Sequence, residues 1–152
     1  MRLLGFLARY FGFLRGVPLL PNAFDLLLWT WTTLFSPDRR RAMEALWCEV
    51  EGWDAVTGHA HRFGGREWRV GGREIGHLHG NGVLDVRLTR NVARERIAAG
   101  AACEHHVFPG TGWTSLPISG MADLDKAEAL LRRAFELRGK VGPGDRSPTD
   151  TE

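Results

Sequence analysis

Between Ala55 and Leu88 the chain is cut by glycines into runs too short for ordinary helices. Gly64-Gly65, Gly71-Gly72 and Asn81-Gly82 are tight-turn signals, because glycine and asparagine accept the left-handed backbone that two-residue hairpins need. The runs between them end near Arg62 and cover Glu67–Val70, Arg73–His79 and Val83–Leu88. This spacing predicts four antiparallel strands in a meander. In the fourth, Leu84, Val86 and Leu88 share one face, and Val83, Asp85 and Arg87 the other.

The flanking segments have a different period. Ser36-Pro37-Asp38 reads as a helix start, with a cap, a proline at the first position and then an acid. Met43, Leu46, Trp47, Val50 and Trp53 give that helix one apolar face as far as about Gly52. Thr89 can cap a short helix through Ala99, stopped by Gly100. Ala102–Phe108 and Trp113–Ile118 read as two more strands, joined by Pro109-Gly110-Thr111-Gly112. Leu124, Ala127, Leu130, Leu131, Ala134 and Phe135 form the stripe of a last helix, which Gly139 ends. The expected fold is α+β: a mostly antiparallel sheet of about six strands covered by helices, with an apolar helical N-terminal extension.

A chain of 152 residues suits one domain with a proper core. The expected divisions are 1–36 for the extension, 37–138 for the domain and 139–152 for a disordered tail of Gly, Pro, Ser, Thr and Asp. A net charge of +2 gives no nucleic-acid signature. Cys48 and Cys103 form no CxxC and read as buried free thiols of a reducing compartment. Arg9 interrupts the first apolar run, and Pro18, Pro21, Asn22 and Asp25 weaken the second, so neither a secretory signal nor a membrane span fits. Two amphipathic segments with a Pro-containing turn remain. Either they lie on a membrane surface, with Trp29 and Trp31 at headgroup depth and Arg2, Arg9, Arg15 and Arg39–Arg41 toward phosphates, or they pack on the domain. The first reading makes this a cytoplasmic protein, peripheral at the inner face of the membrane.

Six histidines fall in three pairs: His59/His61, His77/His79 and His105/His106. His77 and His79 would point the same way from a strand, roughly 6–7 Å apart. Ile75 would share their face, with Glu74 and Leu78 on the other. Two imidazoles on one wall can act as acid and base or ligate a metal. His59 and His61 repeat the spacing on the first strand, and only one of His105 and His106 can face the same cavity. No nucleophile elbow, phosphate-binding loop or dinucleotide fingerprint competes with them. Gly71, His77 and His79 fit the opening of a cupin metal motif, but the glutamate that should follow is absent.

Arg73-Glu74-Ile75-Gly76-His77-Leu78-His79, followed by the Val-Leu-Asp-Val-Arg-Leu strand, a short helix, His106, Trp113 and a closing helix, resembles the luciferase domain of the fungal hispidin-type luciferases and their small bacterial relatives. The resemblance runs from about Arg66 to Arg138, on Glu74, His77, His79, His106 and Trp113. It implies an oxygenase that adds dioxygen to an electron-rich aromatic or pyrone without a metal or organic cofactor.

On this reading His77 or His79 is the base that deprotonates an acidic enol, and His106 hydrogen-bonds the developing oxyanion or peroxide. Glu74 faces away and orients a neighbour through hydrogen bonds, unless a bulge re-aims it. Trp113 and Trp68 either stack on a planar substrate or pack in the core, with Asp85 and His105 as further substrate contacts. Dioxygen is the co-substrate, and the histidine pattern leaves a divalent metal open. Two alternatives stand beside it: a membrane-tethered binding module for an aromatic or lipid-like metabolite, and a metalloenzyme using His77, His79 and a third histidine.

Overall fold

Glycine doublets do turn the chain where the spacing requires: Gly64, Gly65, Gly71, Gly72 and Gly82 all have φ between 57° and 94°. The computed structural model describes residues 20–62 and 64–139. Leu20–Phe35 (α1) and Pro37–Glu51 (α2) come first. Four strands follow, Val56–Ala60 (β1), Arg66–Val70 (β2), Arg73–Leu78 (β3) and Val83–Arg87 (β4). Arg90–Ala98 (α3), Cys103–Glu104 (β5), Trp113–Pro117 (β6) and Leu124–Gly139 (α4) complete the chain, with a 3-10 turn at Met121–Asp123.

The strands form one sheet in the order β1-β2-β3-β4-β6-β5, every pair antiparallel. The expected α+β class and six strands are what is found. The run expected over Ala102–Phe108 shrinks to two paired residues. Its backbone leaves the ladder because the His105 ring captures it: Nδ1 accepts from the N–H groups of Val107 and Phe108, both at 3.1 Å.

One face of the sheet packs on α2 and α4. Gly58, Trp68, Gly76, Val86 and Thr114 are cross-strand partners in one row on that face. Trp68 is fully buried and stacks on Trp47 of α2, ring centroids 4.9 Å apart. It therefore belongs to the core and not to the substrate platform that the sequence also allowed. A Cβ at Gly76 would stand 2.7 Å from the Asp85 carbonyl oxygen and 2.9 Å from Leu131 of α4. Only glycine lets α4 ride this low over β3. Leu46, Val50, Ile75, Leu84, Val86, Ile118 and Leu131 fill the same core.

Ser36 flanks α2 as expected, but its side chain makes no capping hydrogen bond. Thr89 does cap α3, accepting from Val92 N at 3.4 Å. Cys48 and Cys103 are free but exposed, a correction to the buried thiols expected.

Helix α1 is one continuous helix from Leu20 to Phe35, and it has two faces. Asp25 Oδ1 accepts from Gly80 N at 2.7 Å, Thr32 is buried, and Trp29 packs on the core. Phe24, Leu27, Trp31, Leu34 and Phe35 stay exposed on the outside. No helix among the described residues is long and apolar enough to cross a membrane. The amphipathic segment expected before Val17 and the disordered tail expected beyond Lys140 lie outside the described residues.

Candidate functional site

The second face of the sheet is polar. Six cross-strand partners stand in register on it: His59, Glu67, His77, Asp85, Ser115 and Cys103. The central four lie on inner strands and are buried, Asp85 completely. Buried groups of this kind persist only when paired.

Asp85 is the focus. Its Oδ1 accepts a 2.5 Å hydrogen bond from Ser115 Oγ. Three imidazole nitrogens converge on Oδ2: His79 Nε2 at 3.2 Å, His77 Nε2 at 3.3 Å and His105 Nε2 at 3.4 Å. All three are misaligned for hydrogen bonding, so Oδ2 has no hydrogen-bond partner among the described residues. Burial works against the carboxylate's charge. The histidines, His105 foremost, and Ser115 outweigh it and hold Asp85 well below the usual carboxylate range.

Glu74 joins His77 through a bulge. The β2–β3 register shifts between Trp68 and Arg69, so that Trp68 faces Gly76 while Arg69 faces Glu74. Ile75 is the extra residue, and it turns into the core instead of sharing the histidine face as the alternation predicted. Glu74 and His77, three apart, consequently meet, with Oε1 2.5 Å from Nδ1. The expected bulge contingency is the case that holds.

His77 thus lies between two carboxylates. Burial lowers its proton affinity, but Asp85 and Glu74 more than reverse this and raise its pKa to about 9. His77 is therefore a cation near neutrality, not the neutral base foreseen from sequence. His61 lies flat on it, centroids 4.0 Å apart and planes 9° apart. Its Nδ1 donates to the Gly64 carbonyl at 3.2 Å, which leaves Nε2 unprotonated in the neutral ring. Burial and then the His77 charge lower its pKa. His79 meets His77 edge-on at 4.8 Å, and its Nδ1 is 3.9 Å from Asp25 Oδ1 of α1. A Cβ at Gly80 would stand 2.5 Å from the Asp25 carbonyl oxygen, so glycine at that position lets α1 close beside His79.

The adjacent pair His105/His106 resolves in favour of His105 for the interior. His105 is buried with Nε2 on Asp85, whereas His106 is exposed and stacks on it at 5.0 Å. Burial, then His105, lowers the His106 pKa. Trp113 borders the centre, 5.5 Å from His77 and 6.0 Å from His105.

Of the residues expected at a site, Glu74, His77, His79, Asp85, His105, His106 and Trp113 gather here, and Trp68 does not. Glu67, Ser115 and Asp25 were not foreseen, whereas His61 lies against His77 as facing strands allowed. His61 had a signal in the repeated His-x-His spacing. His59, its partner in that spacing, is exposed and bonded to Thr57 Oγ1. Glu67 is neutralised by Arg69, whose Nε donates to it at 2.6 Å. A groove of about 330 Å³ lies beyond, lined by Asp25, Leu26, Trp29, Met43, Leu78 and Gly80 among others; it contains no histidine.

Among the described residues, two triads place their donor atoms within 4.8 Å of one another: His77, His79 and Asp85, and His61, Glu74 and His77. Either can hold a cation. In chemical terms the site offers an imidazolium held between two carboxylates, the low-pKa imidazoles of His61 and His106 near it, and an indole at its edge.

Residues 72–134 match the family model described as Luciferase domain. No curated protein and no solved structure matches the chain. The matched span contains Glu74, His77, His79, Asp85, His105, His106, Trp113 and Ser115, and stops short of Asp25, His61 and Glu67. Residues 72–134, which carry most of the histidine–carboxylate centre, are thus similar to the luciferase domain family.

Proposed function

We propose that this luciferase-like domain is an oxygenase that adds dioxygen to a small, ionisable, electron-rich aromatic or pyrone. The observation that carries the reading is the buried histidine–carboxylate centre around Asp85 and His77, set on the polar sheet face beside Trp113. Such chemistry begins with loss of a proton from an acidic enol or phenol. The anion passes one electron to dioxygen, and the radical pair closes a carbon–oxygen bond to give a peroxide. A proton returned to that peroxide completes the addition of one dioxygen per substrate.

His106, neutral and exposed beside the buried centre, takes the substrate proton. Once it carries that proton, His106 faces first the enolate and then the peroxide as a positive charge and hydrogen-bond donor, and it is the group that returns the proton. Glu74 and Asp85 are positioning residues for His77, and Trp113 stacks on the planar ring. No organic cofactor enters this scheme.

Oxygen electrode traces over a panel of hydroxypyrones and polyphenols test it. At least one compound should give uptake of one dioxygen per molecule consumed. His106→Ala should slow that uptake by about 100-fold or more while leaving the melting curve in place. Tight binding across the panel without oxygen uptake would assign the domain to the binding-module class instead.

The outer face of α1 supports a second element of the proposal, association with a membrane surface in the cytoplasm. Phe24, Leu27, Trp31, Leu34 and Phe35 recur at helical spacing and are exposed, with Arg39–Arg41 next in the chain. Exposed free thiols fit a reducing compartment. The protein should sediment with vesicles rich in phosphatidylglycerol, less so as salt rises. Leu27→Glu together with Trp31→Glu should abolish this without altering the fold, since both side chains are solvent-exposed. Equal sedimentation of the double variant would remove α1 as the contact.

A further inference from the structure

We propose that His77, His79 and Asp85 bind one divalent first-row transition-metal ion, through His77 Nε2, His79 Nε2 and Asp85 Oδ2. Asp85 Oδ2 is a carboxylate oxygen on a fully buried side chain, and it accepts no hydrogen bond from the described residues. The two imidazole nitrogens nevertheless come within 3.2 and 3.3 Å of it. Donor atoms that share one such ion at about 2.0–2.1 Å sit roughly 3.3 Å apart in a tetrahedron. Close approach without hydrogen-bond alignment is the arrangement of atoms that aim at a common point and not at each other.

The surroundings fit. A ligating imidazole usually hands its other N–H to a carboxylate or carbonyl, which fixes the ring. Glu74 does this for His77 at 2.5 Å, and Asp25 stands 3.9 Å from His79 Nδ1. Ser115 holds the remaining carboxylate oxygen at 2.5 Å, leaving Oδ2 for the ion. The strands supply the set without strain. His77 and His79 share a face of β3 and its extension, and Asp85 is the cross-strand partner of His77 on β4.

His105 is not a fourth ligand. Its Nδ1 accepts two backbone N–H groups, so in the neutral ring the proton is on Nε2. It is a positioning residue that steadies Asp85. Two imidazoles and one carboxylate leave coordination positions for a substrate oxygen or dioxygen, and suit iron, manganese, cobalt or zinc. Of the two cofactor readings open to the sequence, the geometry thus favours the metal. The ion takes the place of the proton that His77 Nε2 carries in the metal-free chain, and the proposal does not depend on what the domain oxidises.

The test uses the full chain, without a histidine tag, stripped by chelator and titrated with Co(II) and Zn(II). Calorimetry should give one ion per chain, and Co(II) should develop visible absorption bands of a nitrogen- and oxygen-ligated site. His79→Ala and Asp85→Asn should each weaken binding by about 100-fold or more. Glu74→Gln, which keeps all three donors, should weaken it by about 10–100-fold. Circular dichroism of the metal-free variants separates a lost ligand from a lost fold. If the two ligand variants do not fold, the Co(II) spectrum and Glu74→Gln decide. The absence of saturable binding, or binding unchanged in the folded variants, would overturn the proposal. Oxygen uptake is not read, so this result and that of the oxygenase test stand apart.

Discussion

Asp85→Asn should lower the unfolding free energy by about 3 kcal/mol in chelating buffer near neutrality and, in buffer without chelator, bring oxygen uptake to background. The carboxylate is fully buried and serves two sides at once, Ser115 through Oδ1 and the imidazoles through Oδ2. An amide has one acceptor end. Turned with its NH2 toward Ser115, whose hydroxyl can accept, Asn keeps an acceptor for the rings but not the charge that holds their proton; turned the other way, it sets NH2 against the ring nitrogens. The buried His77 also loses a counter-charge while Glu74 keeps only one side of the ring. The loss falls at the low end for a broken buried pair because His77 can release its proton.

Ser115→Ala is the matched control. It removes one donor and leaves the charge, so it should cost about 1 kcal/mol. Urea denaturation followed by circular dichroism reads both. An Asp85→Asn variant as stable as the parent would mean that the carboxylate is not the counter-charge of the histidines. A stable variant that still consumed oxygen would also remove Asp85 from the chemistry.

What the sequence disclosed about this site follows from what a period of two can and cannot encode. His77 and His79 were legible because alternate residues on a strand share a face whatever lies beside them. The inward turn of Glu74 was not, since it depends on the bulge at Ile75, and a bulge is a property of two paired strands. The choice between His105 and His106 lay beyond alternation for a similar reason. The chain leaves the sheet after Glu104, and backbone groups of Val107 and Phe108 fix the ring of His105.

Trp68 and Trp113 were equivalent as aromatic residues on strands. A signal did separate them. Trp68 stands between Gly58 and Gly76 in the register, and those glycines open the room that Trp47 and Leu131 use to descend onto the sheet. Glycines opposite an aromatic residue mark a helix-covered face. Asp85 was placed correctly on the face away from Leu84, Val86 and Leu88. Its burial comes from β4 being an inner strand flanked by β3 and β6, which is a matter of topology. The helices were the most legible part, because their apolar stripes repeat over several turns.

With chelator present, the wild-type chain should lose about 3 kcal/mol of stability as pH rises from the ordinary histidine value to about 9. The sign follows from His77, whose pKa rises from 6.5 to about 9 on folding. Below 6.5 the ring is protonated in both states, and the full stabilisation by Asp85 and Glu74 is present. Above that value the unfolded chain gives up its proton first, and the advantage is gone once the folded ring has lost its proton too. At the acid end the carboxylates set the limit. Asp85 and Glu74 are both depressed on folding, in each case because the partnering histidines overcome burial. Their contribution is present above the ordinary carboxylate range and is lost as pH falls below it. Urea midpoints across this range should therefore trace a plateau in weak acid with an alkaline slope. The effect of Asp85→Asn should shrink along that slope, because at its foot His77 is neutral in parent and variant alike. The two free energies describe one interaction and do not add. Glu74→Gln should flatten the slope in part, since it removes one of the two carboxylates that hold the proton. A parent midpoint that stays level from neutrality to alkaline pH would show that His77 carries no proton in the folded chain, and the electrostatic design described for this centre would then be wrong.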